Sequence, residues 1–345
     1  MRAAPRTPDD RATAPESDGS ALAETDAGRV PVPPPAAGRG DRAPGPARRR
    51  RRDLAPLWLM APAGVVLVAI TLAPIVFLVF TSFTDYDQRT LFTGAYEGVG
   101  LAQYAALLQD GDFWASLVRT VLFTAAMVAG SVVIGMAVSH LLTRLDRGVR
   151  FLVTVVLILA WAMPNVASSL VWNWLFQPGY GVVNWLLTQL RVFGDMTQTD
   201  WTQSPALAYT VIWLLIVWQA VPFIALTLNA AETQVPGEHQ EAARLDGAGE
   251  LRVYREVTLT FLKPTLLLVT ILSIIWDYNV FNQIWLVSRG GPDGATSTLG
   301  VFTYQTAFVG FEVGQGAAIS VVTTLLLLGL TAVYIRNLLR SGEDL

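Results

Sequence analysis

Glu241-Ala242-Ala243-Arg244-Leu245-Asp246-Gly247, running on to Val257, Leu259 and Pro264, is a polar, helix-prone insert between two long apolar segments. Pro236 precedes it where a helix can begin, since the N–H that proline lacks has no partner in a first turn. Glu238 and Glu241 lie near that start, where the helix dipole favours negative charge. Gly247-Ala248-Gly249 then stops the helix, because glycine reaches left-handed backbone angles without a Cβ clash. From about Glu250 a second short helix is expected, with Arg252 and Glu256 four apart on one face. Helix, glycine turn and helix make a docking loop, spanning about 231–261, that stands out of a membrane.

The rest of the composition is that of a membrane protein. Of 345 residues, 52% are hydrophobic and only 15% charged. A soluble domain carries about 25% charged residues. Crossing a bilayer takes about 20 apolar residues in a helix. Six runs are long enough: about 57–83, 115–142, 151–175, 206–230, 262–287 and 315–338. Trp58, Trp114, Trp201 and Trp285 fall near their ends, as interfacial tryptophans do. Residues 1–53 are Ala-, Pro- and Arg-rich, too poor in bulky apolar residues to fold, and lack the apolar core of a cleavable signal. They are expected to be a disordered tail.

Arginine placement sets the expected orientation. Arg48 to Arg52, Arg144, Arg147 and Arg150, the central loop, and Arg336 and Arg340 form one set; the intervening connections hold Arg89, Arg191 and Arg289. Both termini and the Glu-Ala-Ala loop are therefore expected in the cytoplasm. The Arg48–Arg52 cluster is read as a juxtamembrane signal facing lipid rather than as a nucleic-acid-binding arm.

The spacing Glu241-Ala242-Ala243, Gly247, Val257, Leu259 resembles the EAA loop of the membrane subunits of binding-protein-dependent ABC importers. That family usually has proline directly after the last leucine; this chain has Thr260, and proline only at Pro264. Gly100-Leu101-Ala102-Gln103-Tyr104, with Phe113-Trp114 and Arg119-Thr120, is similar to the family's first external segment. Gly290-Gly291-Pro292, Ser297-Thr298-Leu299, Tyr304, Ala307-Phe308 and Gly316-Ala317-Ala318 resemble the sugar branch, notably the first permease of maltose and multiple-sugar importers. The likeness covers roughly residues 55–340. It implies an all-α, six-span type I ABC importer permease of a bacterial plasma membrane. It also implies three partners: a second, homologous permease, a pair of cytoplasmic P-loop ATPases and an external sugar-binding protein. In the family the loop docks on the ATPase, which assigns coupling to Glu241, Ala242, Ala243, Asp246, Gly247, Val257 and Leu259.

Substrate-path candidates come from the residues themselves. Trp161, Asn165, Ser168, Ser169 and Trp172 recur at helical spacing in the third run, with Pro164 placed to kink it. Trp276, Asn279 and Gln283 share a stripe in the fifth, beside Asn282, while Asp277 aligns with Ser273; the fourth adds Trp218, Gln219 and Pro222. Amides and hydroxyls beside indoles suit a neutral polyol. The same residues also serve to bind helices to one another. Asp277 is the acid placed well inside a span, and it opens the rival reading of an ion-coupled secondary transporter. With no second acid, His or Lys read along the spans, a proton relay has little to relay to.

Enzyme chemistry is not expected. There is no cysteine, no Ser-His-Asp set, no metal cluster and no Gly-x-x-x-x-Gly-Lys, the one lysine being Lys263. ATP and magnesium are expected in a partner chain, with no cofactor here. An amino-acid or peptide permease is the alternative within the family. Gly247→Asp is expected to insert normally and to abolish uptake, because the turn needs a residue without a Cβ.

Overall fold

The computed structural model describes residues 55–191 and 193–342; the expected disordered tail, 1–53, lies outside them. Contacts divide the chain at Met60, and of the first unit only the opening residues of α1 are described. Among the described residues the structure is helical apart from one isolated bridge between Thr84 and Gly98.

Five helices are long and apolar enough to cross a membrane. They are α1 (Ala55–Thr81), α4 (Gly111–Arg144), α8 (Pro205–Glu232), the stretch Glu250–Tyr278 and α14 (Val313–Gly342). Short helices α2 (Gln88–Thr93) and α3 (Ala102–Gln109) join α1 to α4. The third expected span is not one helix. It is α5 (Arg147–Trp161) and α6 (Asn165–Leu175), bent by 100° at Pro164, and makes a sixth span if the pair crosses together. Pro164 takes an extended backbone, φ −60° and ψ 137°. A helix cannot continue through it. After α6 come α7 (Val182–Leu190), then α8 and α9 (Gly237–Leu245).

The fifth expected span, 262–287, is also broken, and it starts earlier. α10 (Glu250–Val253), a π-helical turn (Tyr254–Thr258) and α11 (Leu259–Tyr278) run on from the polar loop without interruption. The helix passes through Pro264, so a proline-marked stop after Leu259 is absent. Asn279 ends α11, and α12 (Asn282–Ser288) restarts beyond it, before α13 (Leu299–Tyr304).

α8 is the central helix. A helix that is apolar all round has to be buried, in protein or in lipid. Of the apolar window of α8, 61% is buried inside the chain, whereas α1 buries none of its own. Helices in hydrocarbon gain nothing from excluding water between them, so close approach of small residues has to hold α4 to α8. Ser131, Gly135 and Ser139 recur every fourth residue on α4 and are buried. A Cβ on Gly135 would stand 2.5 Å from Ile224 Cγ2. Gly135→Ala must therefore push α4 off α8, an overpacking expected to cost about 1–3 kcal/mol. Thermal unfolding of the detergent-solubilised protein measures it; an unchanged midpoint would mean that the two helices do not meet this closely.

Trp201 corrects one expectation. It is buried, donates to Asn184 Oδ1 at 2.5 Å and meets Phe176 edge-on, so it packs the core instead of marking an interface.

Candidate functional site

Both broken spans open onto one cavity of about 550 Å³. The α5–α6 break contributes Trp161 and Asn165; the α11–α12 break contributes Trp276, Asp277, Asn279, Asn282 and Gln283. α8 supplies Gln219 and Phe223 between them. The bend at Pro164 leaves the Met163 carbonyl without a helical partner, and Gln219 Nε2 takes it at 2.9 Å while also reaching Asn165 Oδ1 at 2.8 Å. One glutamine thus holds the break open and ties it to the central helix. Three rings line a wall: Trp161 stacks on Phe223 with centroids 6.3 Å apart, and Phe223 meets Trp276 edge-on at 5.2 Å. Two buried oxygens in this lining, Asp277 Oδ2 and Gln219 Oε1, have no hydrogen-bond partner within the chain.

The stripes read from sequence do not survive as stripes. A 3.6-residue period places side chains on one face only along an unbroken helix, and both helices break. Trp161 and Asn165 reach the cavity. Ser168 and Ser169 are buried and return their hydroxyls to their own helix, to Pro164 O at 3.1 Å and Asn165 O at 2.7 Å. Trp172 stacks on Phe176 at 5.8 Å and leans on Trp218 at 5.7 Å, inside the apolar core. From the fifth run, Asp277, Asn279, Asn282 and Gln283 all line the cavity, gathered by the break rather than by periodicity. Asn279 also returns Nδ2 to Ile275 O at 2.8 Å. Phe223 carries only a weak signal in the sequence, its position one turn beyond Gln219.

A second feature lies at the polar loop. α9 begins at Gly237, one residue after the proline, and none of its residues is buried. Gly247, at φ +84°, follows its end. The Gly247 N–H donates to Arg244 O and the Ala248 N–H to Ala243 O, each at 3.0 Å. These are the paired bonds of a Schellman turn. Glu241, Ala242 and Asp246 are exposed, Ala243 half-buried, and Val257 and Leu259 half-buried on the return helix. Leu245 is 89% exposed and Leu251 72%, an apolar pair on a charged hairpin. Arg252 pairs with Glu256 at 2.9 Å as its spacing predicts, and Glu250 bonds Arg244 at 2.8 Å and Arg144 at 3.1 Å. The hydrogen bond and charge of Glu250 push the Arg244 guanidinium up, so it stays charged.

A further correction concerns buried acids. Glu232, the last residue of α8, is buried and bonded to His140, which lies on α4 within the expected span 115–142, so the expectation of no second acid or histidine along the spans does not hold.

Among the described residues, five membrane-length helices, one broken span and a polar cavity between helices are the build of a membrane transport subunit. The model of the inner membrane components of binding-protein-dependent transport systems matches residues 131–342, and the chain belongs to that family. It is 42% identical over 298 residues to the diacetylchitobiose uptake system permease protein DasB of Streptomyces coelicolor, covering 86% of this chain and 90% of that one. It is 34% identical to the sulfoquinovosyl glycerol transport system permease protein SmoG of Agrobacterium fabrum, over 81% and 88% of the two chains. Among solved structures, a bacterial ABC transporter that imports the acidic polysaccharide alginate shares its fold, with TM-score 0.70 at 16% identity over 83% of this chain and 96% of that one. The fold is that of the type I ABC importer permeases, and the chain is the permease component of a binding-protein-dependent importer.

Proposed function

We propose that this chain translocates a neutral sugar or short oligosaccharide, delivered by an external binding protein and driven by a separate cytoplasmic ATPase pair. The observation that carries the substrate class is the cavity where the two broken spans meet. Its ring wall, Trp161–Phe223–Trp276, offers a face for the apolar C–H side of a pyranose, and Asn165, Asn279, Asn282, Gln283 and Asp277 offer hydroxyl partners. No arginine or lysine lines it among the described residues. An amino acid's carboxylate or an acidic sugar would be left without a cation, which speaks against both. The relative named for diacetylchitobiose agrees with a neutral sugar; the one named for sulfoquinovosyl glycerol, an anionic sulfonated sugar, agrees with a sugar but not with its neutrality.

The hairpin carries the coupling. Glu241, Ala242, Ala243, Asp246, Gly247, Val257 and Leu259 shape the surface that docks on the ATPase, with Leu245 and Leu251 as its apolar contacts. ATP and magnesium belong to that partner, and a second, similar permease completes the passage. The arginine distribution supports a hairpin and termini on the cytoplasmic side of the membrane. ATP binding moves the docked hairpin as a lever, opening the spans outward to receive sugar, and hydrolysis resets them. The lever works only if the docked hairpin differs in free energy between the two states.

The test is reconstitution of the co-purified complex in liposomes with diacetylchitobiose as the first substrate. Uptake is expected to need both the binding protein outside and ATP with magnesium on the hairpin side. Purification of the chain alone, with solute movement driven by a proton gradient and indifferent to ATP, would overturn the reading and return attention to Asp277 as a proton site.

A further inference from the structure

Where α4, α8 and the return helix of the hairpin meet, one imidazole touches both ends of the loop. Glu232 closes α8, directly before the hairpin, and is 7% exposed. It accepts from Ser139 Oγ at 2.8 Å on one oxygen and meets His140 Nδ1 at 2.8 Å on the other. Both partners are on α4. A buried carboxylate at a helix C-terminus is opposed by desolvation and by the helix dipole, so it stands only because both oxygens are satisfied. Tyr254 opens the π-helical turn by which the chain leaves the hairpin, and its ring lies 4.6 Å from the His140 ring. Its hydroxyl is buried without a partner, so the ring contact is what it contributes here. A π turn lengthens a helix locally by one residue and recurs at functional positions.

We propose that His140 is the positioning residue that carries hairpin movement into α4. Its Nδ1 edge is tied to the entry of the hairpin through Glu232, and its face to the exit through Tyr254. A displacement of α9 and α10 then cannot be absorbed by the loop alone; it reaches α4 and, through the tight α4–α8 contact, the cavity. Ser139 also ties Glu232 to α4, but at the hairpin entry alone. The Arg144–Glu250–Arg244 cluster is more than two-fifths exposed at every member. Exposed ion pairs hold little. The inference rests on the proposed docking of the hairpin to an ATPase.

The experiment uses the whole complex and counts ATP hydrolysed per diacetylchitobiose imported. His140→Ala is expected to keep ATP hydrolysis while raising that ratio about tenfold, the size of an ordinary coupling between sites. Tyr254→Ala is expected to do the same and Tyr254→Phe to restore the wild-type ratio, since only the ring makes the contact. Tyr254→Ala is the second arm should His140→Ala fail to assemble. The chain has no cysteine, so spin labels at the exposed positions Glu238→Cys and Leu122→Cys report the hairpin and α4 alone. With the joint intact, their distance stays fixed on adding ATP and magnesium; in His140→Ala it shifts or broadens. Parallel loss of hydrolysis and uptake at an unchanged ratio, or a label distance that ignores the substitution, would overturn the joint. A wild-type chain that assembles with no ATPase would instead remove the proposed function, and the joint with it.

Discussion

Gly247→Val is expected to insert and fold normally and to lose ATP-driven uptake. The reason lies in the backbone of that one residue. Nothing stands within 4 Å of the position a Cβ would take, so side-chain crowding is not what excludes one. The residue sits at φ +84°. An L-residue in that left-handed region costs about 1–2 kcal/mol, and a β-branched one there is a rare outlier. The turn relieves that strain by opening. Doing so breaks both bonds that close it, Gly247 to Arg244 and Ala248 to Ala243, and frees α9 to swing against α10. A lever with a loose elbow delivers no stroke. Gly247→Asn, whose side chain tolerates left-handed angles, is expected to keep most of the uptake. Gly247→Asp should fall between the two, because aspartate also tolerates the angle but adds charge beside Asp246 on the docking face. The ordering corrects the expectation that the Cβ itself is excluded. Uptake is measured in vesicles whose permease content is matched by immunoblot. A normally inserted Gly247→Val protein with wild-type uptake would remove the hairpin from the mechanism.

The features legible in the sequence were those that local chemistry decides. A long apolar run has few fates, so the long helices lie where the hydropathy places them, to within a few residues at most ends. The Glu-Ala-Ala hairpin was legible because its turn residue, its charge pairs and its helix ends act over short distances. What failed to show was decided by neighbours. Pro164 announced a kink, yet a 100° bend moves Ser168, Ser169 and Trp172 off the face of Trp161, and no periodicity records that. The break after Tyr278 carries no proline at all. Glu232 read as a loop acid because its burial comes from Ser139 and His140, far earlier in the chain. Ser131, Gly135 and Ser139 did stand in the sequence at the spacing of close helix contact, but only Ile224 across the interface gives the spacing its meaning.

Asp277→Leu is expected to make the protein more stable and its sugar uptake at least about tenfold slower. Three costs meet at this carboxyl. It is 7% exposed, one oxygen has no partner, and it sits in the last turn of α11. The helix dipole opposes negative charge there. An orphaned buried polar atom costs about 1–3 kcal/mol, and leucine fills similar space without one. The unfolding midpoint in detergent should therefore rise by about 2–4 °C for each kcal/mol recovered. A residue kept against such a gain is kept for its chemistry, the usual trade between stability and function. Asp277 lines the cavity beside Asn279 and Asn282. A carboxylate there can accept from two sugar hydroxyls at once. Hydrogen bonds to a charged group contribute about 1.5–3 kcal/mol each, so losing them should lower sugar uptake at least about tenfold. ATP hydrolysis by the partner subunits should continue, because the hairpin and its joint to α4 are untouched. Asp277→Asn separates charge from shape: it keeps an acceptor and should retain part of the uptake that leucine loses. A leucine variant that is more stable and still imports sugar at the wild-type rate would show that Asp277 binds helices, not substrate, and would leave the ring wall of Trp161, Phe223 and Trp276 to select the sugar alone.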